Sequence, residues 1–154
     1  MKLLFIRHSL AVEREEWRGH DLDRPLAEKG KKRARKFFKV IKKIYPEIDI
    51  IITSKAKRAL QTAEILKEFY LDADFEITSK LYPGANFNDL KEVLEGREGI
   101  IAIVGHEPDL SEMIKTIMHA PNLKLKLQKP SIVEIEDKIM RGLFQYKHFR
   151  DLNE

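Results

Sequence analysis

Two arginines and two histidines stand at the ends of short apolar runs. Arg7-His8 follows Leu3-Leu4-Phe5-Ile6, Arg58 comes shortly after Ile48-Asp49-Ile50-Ile51-Ile52-Thr53, and Gly105-His106 closes Ile100-Ile101-Ala102-Ile103-Val104. Continuous apolar runs of this length suit buried parallel strands, and in such sheets ligands bind beyond the carboxyl ends of the strands. If the three runs are neighbours in one sheet, Arg7, His8, Arg58 and His106 surround a common point. Forked guanidinium donors and helix N-terminal amides at that point match a phosphoryl group. A neutral imidazole among them can attack phosphorus and become a phosphohistidine. The neighbouring positive charge lowers the pKa of His8 and keeps the ring neutral, and the same donors hold the equatorial oxygens as charge redistributes. This chemistry requires no metal, so neither a metal nor another cofactor is expected.

The rest of the chain reads as a scaffold for those strand ends. Residues 2–6 and 48–53 are strands; between them Ala34, Phe37, Phe38, Ile41, Ile44 and Tyr45 recur at helical spacing until Pro46 closes the segment. Ala59, Ala63, Leu66 and Phe69 mark a second helix, and Glu76-Ile77-Thr78 a short strand. Tyr82 to Asn86 forms a turn-rich loop, and Asn88 is placed to cap a short helix through Glu95. Residues 100–104 form the most apolar strand, and Pro108 opens a helix carrying Leu110, Met113, Ile114, Ile117 and Met118. In the tail, alternating Leu123, Leu125 and Leu127, then 132–135 and 143–146, read as strands that extend the sheet, separated by the turn-compatible Asp137 and Gly142. Alternating strands and helices define an α/β fold with a mostly parallel sheet. No repeat, linker or low-complexity tract divides the chain, so residues 1–154 read as one domain.

Composition removes several classes of function. The chain has 154 residues and 18.1 kDa, with 43% hydrophobic and 35% charged residues, which suits a core under an ionic surface rather than disorder. Its apolar runs fall far short of the roughly 18 residues a membrane span needs, and no secretory signal is visible, so the expected location is the cytoplasm. The absence of cysteine excludes disulfides, thiolate metal sites and every cysteine nucleophile. A net charge of +4 attracts phosphates but is far below what nucleic-acid binding alone demands, and no nucleic-acid partner is expected. The basic run from Lys29 to Lys43 reads as a solvated helix face; the competing idea, an anionic docking surface, lacks interleaved aromatics to stack bases. His20, His119 and His148 read as structural or solvated, and Trp17 and Arg24 as residues that either rim the pocket or pack beside it. Lys, Glu and Ile richness is in keeping with heat adaptation.

The motifs carry a family resemblance over about residues 1–120. Arg7-His8-Ser9 resembles the Arg-His-Gly signature of the histidine phosphatase, or phosphoglycerate mutase-like, superfamily. Asp23-Arg24-Pro25-Leu26 with Gly30, Ser54 with Arg58, Gln61 and Thr62, and Val104-Gly105-His106 with Pro108 and Leu110 resemble its small SixA branch of protein phosphohistidine phosphatases. The resemblance implies a three-layer α/β/α sandwich, His8 as nucleophile, Arg7 and Arg58 as phosphoryl ligands, and His106 as the second pocket histidine. Ser9 takes the place of the usual glycine in the phosphate-binding set, and Lys55 that of a common proline. For the proton donor, Glu107 stands beside His106, with Asp89 and Glu92 as alternatives or no acid at all. The 48 residue steps from Arg58 to His106 leave little room for the cap of larger relatives, so the pocket should be open to a side chain of another protein. The expected function is a metal-independent phosphatase working through a covalent phosphohistidine, with a phosphorylated protein as substrate. The alternatives are a small-molecule phosphomonoesterase of the same superfamily and a non-catalytic phosphate-recognition module.

Overall fold

The apolar runs pair into one six-stranded sheet in the computed structural model, which describes residues 1–152. Its strands are β1 (Lys2–Arg7), β2 (Ile50–Ser54), β3 (Asp74–Thr78), β4 (Ile100–Gly105), β5 (Ser131–Glu136) and β6 (Ile139–Gln145), in the order β3-β2-β4-β1-β5-β6. The first four run parallel, while β5 is antiparallel to β1 and to β6. Side chains alternate across the pleat, so successive residues of one strand serve two cores. Leu4 and Ile6 face α1 (Glu28–Ile44), α2 (Lys57–Phe69) and the short α5 (Tyr146–Phe149). Leu3 and Phe5 face α3 (Phe87–Leu94) and α4 (Asp109–Met118). That is a three-layer α/β/α sandwich, and because both faces are covered the central strands are apolar throughout.

The helices follow their apolar spacing. Ala34, Phe37, Phe38 and Ile41 are fully buried on one stripe of α1, and Tyr45-Pro46 ends it because the residue before a proline leaves the helical region. The cap of α3 is Asn86, not Asn88: its side chain accepts from the Asp89 amide, and the Asp89 carboxylate accepts from the Asn86 amide.

The tail departs from expectation at three points. Residues 123–127 form no strand, although Leu127 is buried and Leu123 and Leu125 pack against the core under α3 and α4. Gly142 lies inside β6 beside an irregular register, where an added Cβ would come within 2.7 Å of the Tyr45 hydroxyl. The reversal is made by Asp137, as expected, together with Lys138, with φ of 54° and 64°. Tyr146, expected at the end of the last strand, begins α5. No helix among the described residues is long and apolar enough to cross a membrane.

Candidate active site

Strand order decides whether the site exists, and β4 lies between β1 and β2. The three strand ends are therefore adjacent: Arg7 pairs with Gly105 across the ladder, and the His8 amide donates to the Gly105 carbonyl at 3.2 Å. Arg7, His8, Arg58 and His106 line one cavity of about 310 Å³, as do Glu107, Arg24 and Lys129. The four residues singled out in the sequence are thus brought together.

His8 is held for a particular tautomer. Its Nδ1 lies 2.6 Å from the Ser9 carbonyl oxygen, which can only accept, so Nδ1 carries the proton and Nε2 keeps its lone pair. The His106 ring stands 5.3 Å away between centroids, with its Nε2 at 2.8 Å from the Ser54 hydroxyl. Burial pushes the His8 pKa well below its usual value, with His106, then Arg58 and Arg7, adding to the effect. Burial likewise brings His106 down to about 3, followed by Arg58. Desolvation is therefore the main reason these rings are neutral, ahead of the arginine charge that the sequence emphasises.

A pH dependence of stability follows. Below the ordinary histidine pKa near 6.5 the unfolded chain binds protons that the folded chain refuses, so folding weakens as pH falls from about 6.5 toward 3. The melting temperature of the wild type should fall between pH 7 and 5, and His106→Asn should show a shallower slope over the same range. Equal slopes would contradict the burial argument.

Arg58 sits in the first turn of α2, where a cation opposes the helix dipole, and needs a local partner. Asp21 supplies it: its carbonyl accepts from Arg58 Nη1 at 3.1 Å, and its carboxylate lies 3.5 Å from Nη2. The same carboxylate takes Arg24 Nε at 3.1 Å and lies 3.7 Å from Arg14 Nε. Burial raises the Asp21 pKa, but the Arg24 hydrogen bond and the charges of Arg58, Arg24 and Arg14 outweigh it and hold the carboxyl below its usual value. Asp21→Asn removes that anchor while leaving the main-chain carbonyl. A roughly tenfold loss of kcat/KM, carried mostly by KM, is expected from steady-state kinetics, given the worth of a hydrogen bond to a charged group.

The remaining expected residues fare differently. Ser9 does not join the phosphate-binding set in space: it is absent from the cavity wall, its hydroxyl donates to the Gly30 carbonyl at 2.7 Å and its amide to Thr62 Oγ1 at 3.0 Å. Thr62 in turn donates to the Arg58 carbonyl at 2.7 Å, which ties β1 to α2. Glu107 lines the cavity, yet its two oxygens accept from the Ser111 amide and hydroxyl and cap α4. Asp89 and Glu92 lie outside the cavity, the first closing the α3 capping box and the second paired with Lys80. Arg24 lines the cavity and donates to the Val12 carbonyl at 2.7 Å, whereas Trp17 lies outside it, bonded to the His20 carbonyl at 2.9 Å. Glu13, Arg14, Glu15 and Lys129 also line it, and sequence reasoning missed them along with Asp21. An acid two residues ahead of Asp23-Arg24 was the only signal for Asp21. Burial, then Arg7 and Arg24, lowers the Lys129 pKa. His20 and His148 accept local amide protons, and His119 ends α4 with φ of 54°.

Comparison with known proteins agrees with this geometry. Residues 3–82 match the model of the histidine phosphatase superfamily, branch 1. An uncharacterized protein of Picosynechococcus sp. is 31% identical over 146 residues, covering 92% of this chain and 88% of that protein. The crystal structure of the putative phosphohistidine phosphatase SixA from Agrobacterium tumefaciens superposes with a TM-score of 0.82 at 18% identity, covering 93% of this chain and 96% of that one. The protein histidine phosphatase SixA in complex with tungstate also gives 0.82 at 18% identity, with 96% and 99% covered. The chain belongs to the histidine phosphatase superfamily, and its fold is of the SixA type.

Proposed function

We propose that this chain is a metal-independent phosphatase that forms a covalent phosphohistidine on His8 and removes phosphoryl groups from phosphohistidine on a protein. The observation that carries the reading is the Nδ1–H of His8 held by the Ser9 carbonyl, which leaves Nε2 unprotonated in a cavity walled by Arg7, Arg58 and His106. Among the described residues, Arg7 Nε and His106 Nδ1 are buried without a hydrogen-bond partner, at a cost of about 1–3 kcal/mol each. A phosphoryl group in this cavity supplies oxygens for both. That a SixA of the same fold forms a complex with tungstate supports an oxyanion as ligand.

In the first step His8 Nε2 bonds to phosphorus and the substrate P–N bond breaks, its electron pair remaining on that nitrogen while the other ring nitrogen carries a proton, so that a neutral imidazole leaves. In the second a water oxygen attacks phosphorus, the Nε2–P bond breaks, and inorganic phosphate leaves. An imidazole departs far more readily than an alkoxide, so Glu107 can serve as a cap without serving as an acid. The segment between Arg58 and His106 supports a protein substrate, because Leu90 and Val93 bury α3 against the sheet and, among the described residues, the segment reaches the cavity wall only at Pro83. The test is turnover, in excess chelator, of a phosphohistidine peptide, an aryl phosphate and an alkyl phosphate. The peptide should be cleaved fastest and the alkyl ester slowest. Equal rates on peptide and alkyl ester would turn the reading to a general phosphomonoesterase, and binding without turnover to a phosphate-recognition module.

A further inference from the structure

The loop that brings Lys129 to the catalytic cavity borders a second cavity through the preceding residue. Lys29, Lys32, Arg33 and Lys36 of α1, Arg150 and the Gln128 side wall a groove of about 380 Å³, with Tyr146 beneath Arg33. Among the described residues no carboxylate lines it. Elsewhere α1 matches its cations, with Lys31 at 3.3 Å from Glu28 and Arg35 at 3.2 Å from Glu68. In the groove the Arg33 guanidinium stacks 4.8 Å from the Tyr146 ring centre, and its Nε is buried without a hydrogen-bond partner among the described residues. Arg150 Nε lies 3.8 Å from the Asp151 carboxylate, and Lys29, Lys32, Arg33 and Lys36 give the groove a positive local field in a chain whose net charge is only +4.

The groove is fixed relative to His8. Gln128 and Lys129 are consecutive, the Leu127 carbonyl accepts from Arg7, and the Gly30 carbonyl in the first turn of α1 accepts from Ser9 at 2.7 Å. A chain whose phosphohistidine enters the catalytic cavity therefore needs only a few residues, each spanning about 3.3–3.6 Å, to cross Gln128 into the groove.

We infer that this groove docks an acidic segment flanking the phosphohistidine of a protein substrate, its carboxylates meeting Lys29, Lys32 and Arg33. The inference rests on the proposed protein substrate and names its charge. A single-stranded nucleic acid suits the groove less well, because its one lining aromatic already has Arg33 on its face.

The experiment uses two synthetic peptides, each with one phosphohistidine, flanked by glutamates in one and glutamines in the other. At low salt the wild type should favour the glutamate peptide by about tenfold in kcat/KM, as expected for a few exposed ion pairs. Lys29→Glu/Lys32→Glu should abolish that preference while hydrolysing the aryl phosphate at the wild-type rate, which also shows that it is folded. A wild type indifferent to the flanks, or a preference that survives in the variant, overturns the inference. If the wild type cleaves neither peptide, the substrate assignment fails separately, and fluorescence anisotropy of the unphosphorylated glutamate peptide still decides the groove. Weaker binding by the variant upholds it and equal binding overturns it. An oligothymidylate that displaces the glutamate peptide and is itself released by the double substitution would assign the groove to nucleic acid and overturn it as well.

Discussion

Mixed with a peptide carrying radiolabelled phosphohistidine and quenched in base and denaturant, the wild-type chain should retain label and His8→Ala none. The kcat/KM of His8→Ala should fall roughly ten-thousand-fold, the scale seen when a covalent nucleophile is removed. No cysteine can replace it. The Ser54 hydroxyl is committed to His106 at 2.8 Å and to the Ala56 amide at 3.2 Å. His106 is the serious rival, since it shares the cavity and is also neutral. Its Nε2, however, meets Ser54, which leaves Nδ1 to carry the proton that a phosphoryl oxygen would accept, whereas His8 has its Nδ1 pinned to a carbonyl and presents the other nitrogen. Accordingly His106→Ala should still trap label on His8, more slowly, because it loses a phosphoryl donor and not the attacking atom. Label retained by His8→Ala and lost by His106→Ala would exchange the two roles.

The parts of this site that were legible in the sequence are those attached to strand ends. An apolar run that stops at a charged or polar pair marks both the strand and the place where its end meets solvent, which is how Arg7, His8 and His106 stood out. Residues held in irregular loops leave no such trace. Asp21 reaches Arg58 only because a short 3-10 turn over Asp21–Asp23 folds back on α2, and Lys129 arrives from beyond α4. Ser9 shows a different gap: its type suited a phosphate ligand, but the backbone turns it toward Gly30. The alternation at Leu123, Leu125 and Leu127 reported alternate burial correctly and strand pairing wrongly. Period-two burial needs only an extended chain lying on a core, whereas a strand also needs a ladder to a neighbour, and residues 123–127 pair with neither sheet edge, β3 or β6. At Gly142, a residue type common in turns is required instead by the close approach of Tyr45.

Gly30→Ala should damage fold and site together. A Cβ at Gly30 would overlap the Leu10 carbonyl oxygen and lie 2.8 Å from its carbonyl carbon. Neither atom can swing away as a side chain would. Leu10 O accepts from the Ala27 amide at 3.1 Å, and the next residue, Ala11, bridges to Leu26, so the chain after β1 is pinned against the start of α1. Relief requires α1 to retreat from that chain, which costs about 3 kcal/mol at the upper end of ordinary overpacking. The retreat also stretches the bond from the Ser9 hydroxyl to the Gly30 carbonyl, and Ser9 carries the carbonyl that fixes the His8 tautomer. Denaturant unfolding should therefore show a large loss of stability, and at temperatures where the variant remains folded its kcat/KM should be reduced as well. Ser9→Ala separates the two causes. It removes the hydroxyl bond without adding an atom, and should cost only about 1 kcal/mol. If Ser9→Ala were as destabilised as Gly30→Ala, the lost hydrogen bond rather than the steric approach of the two backbones would account for the effect.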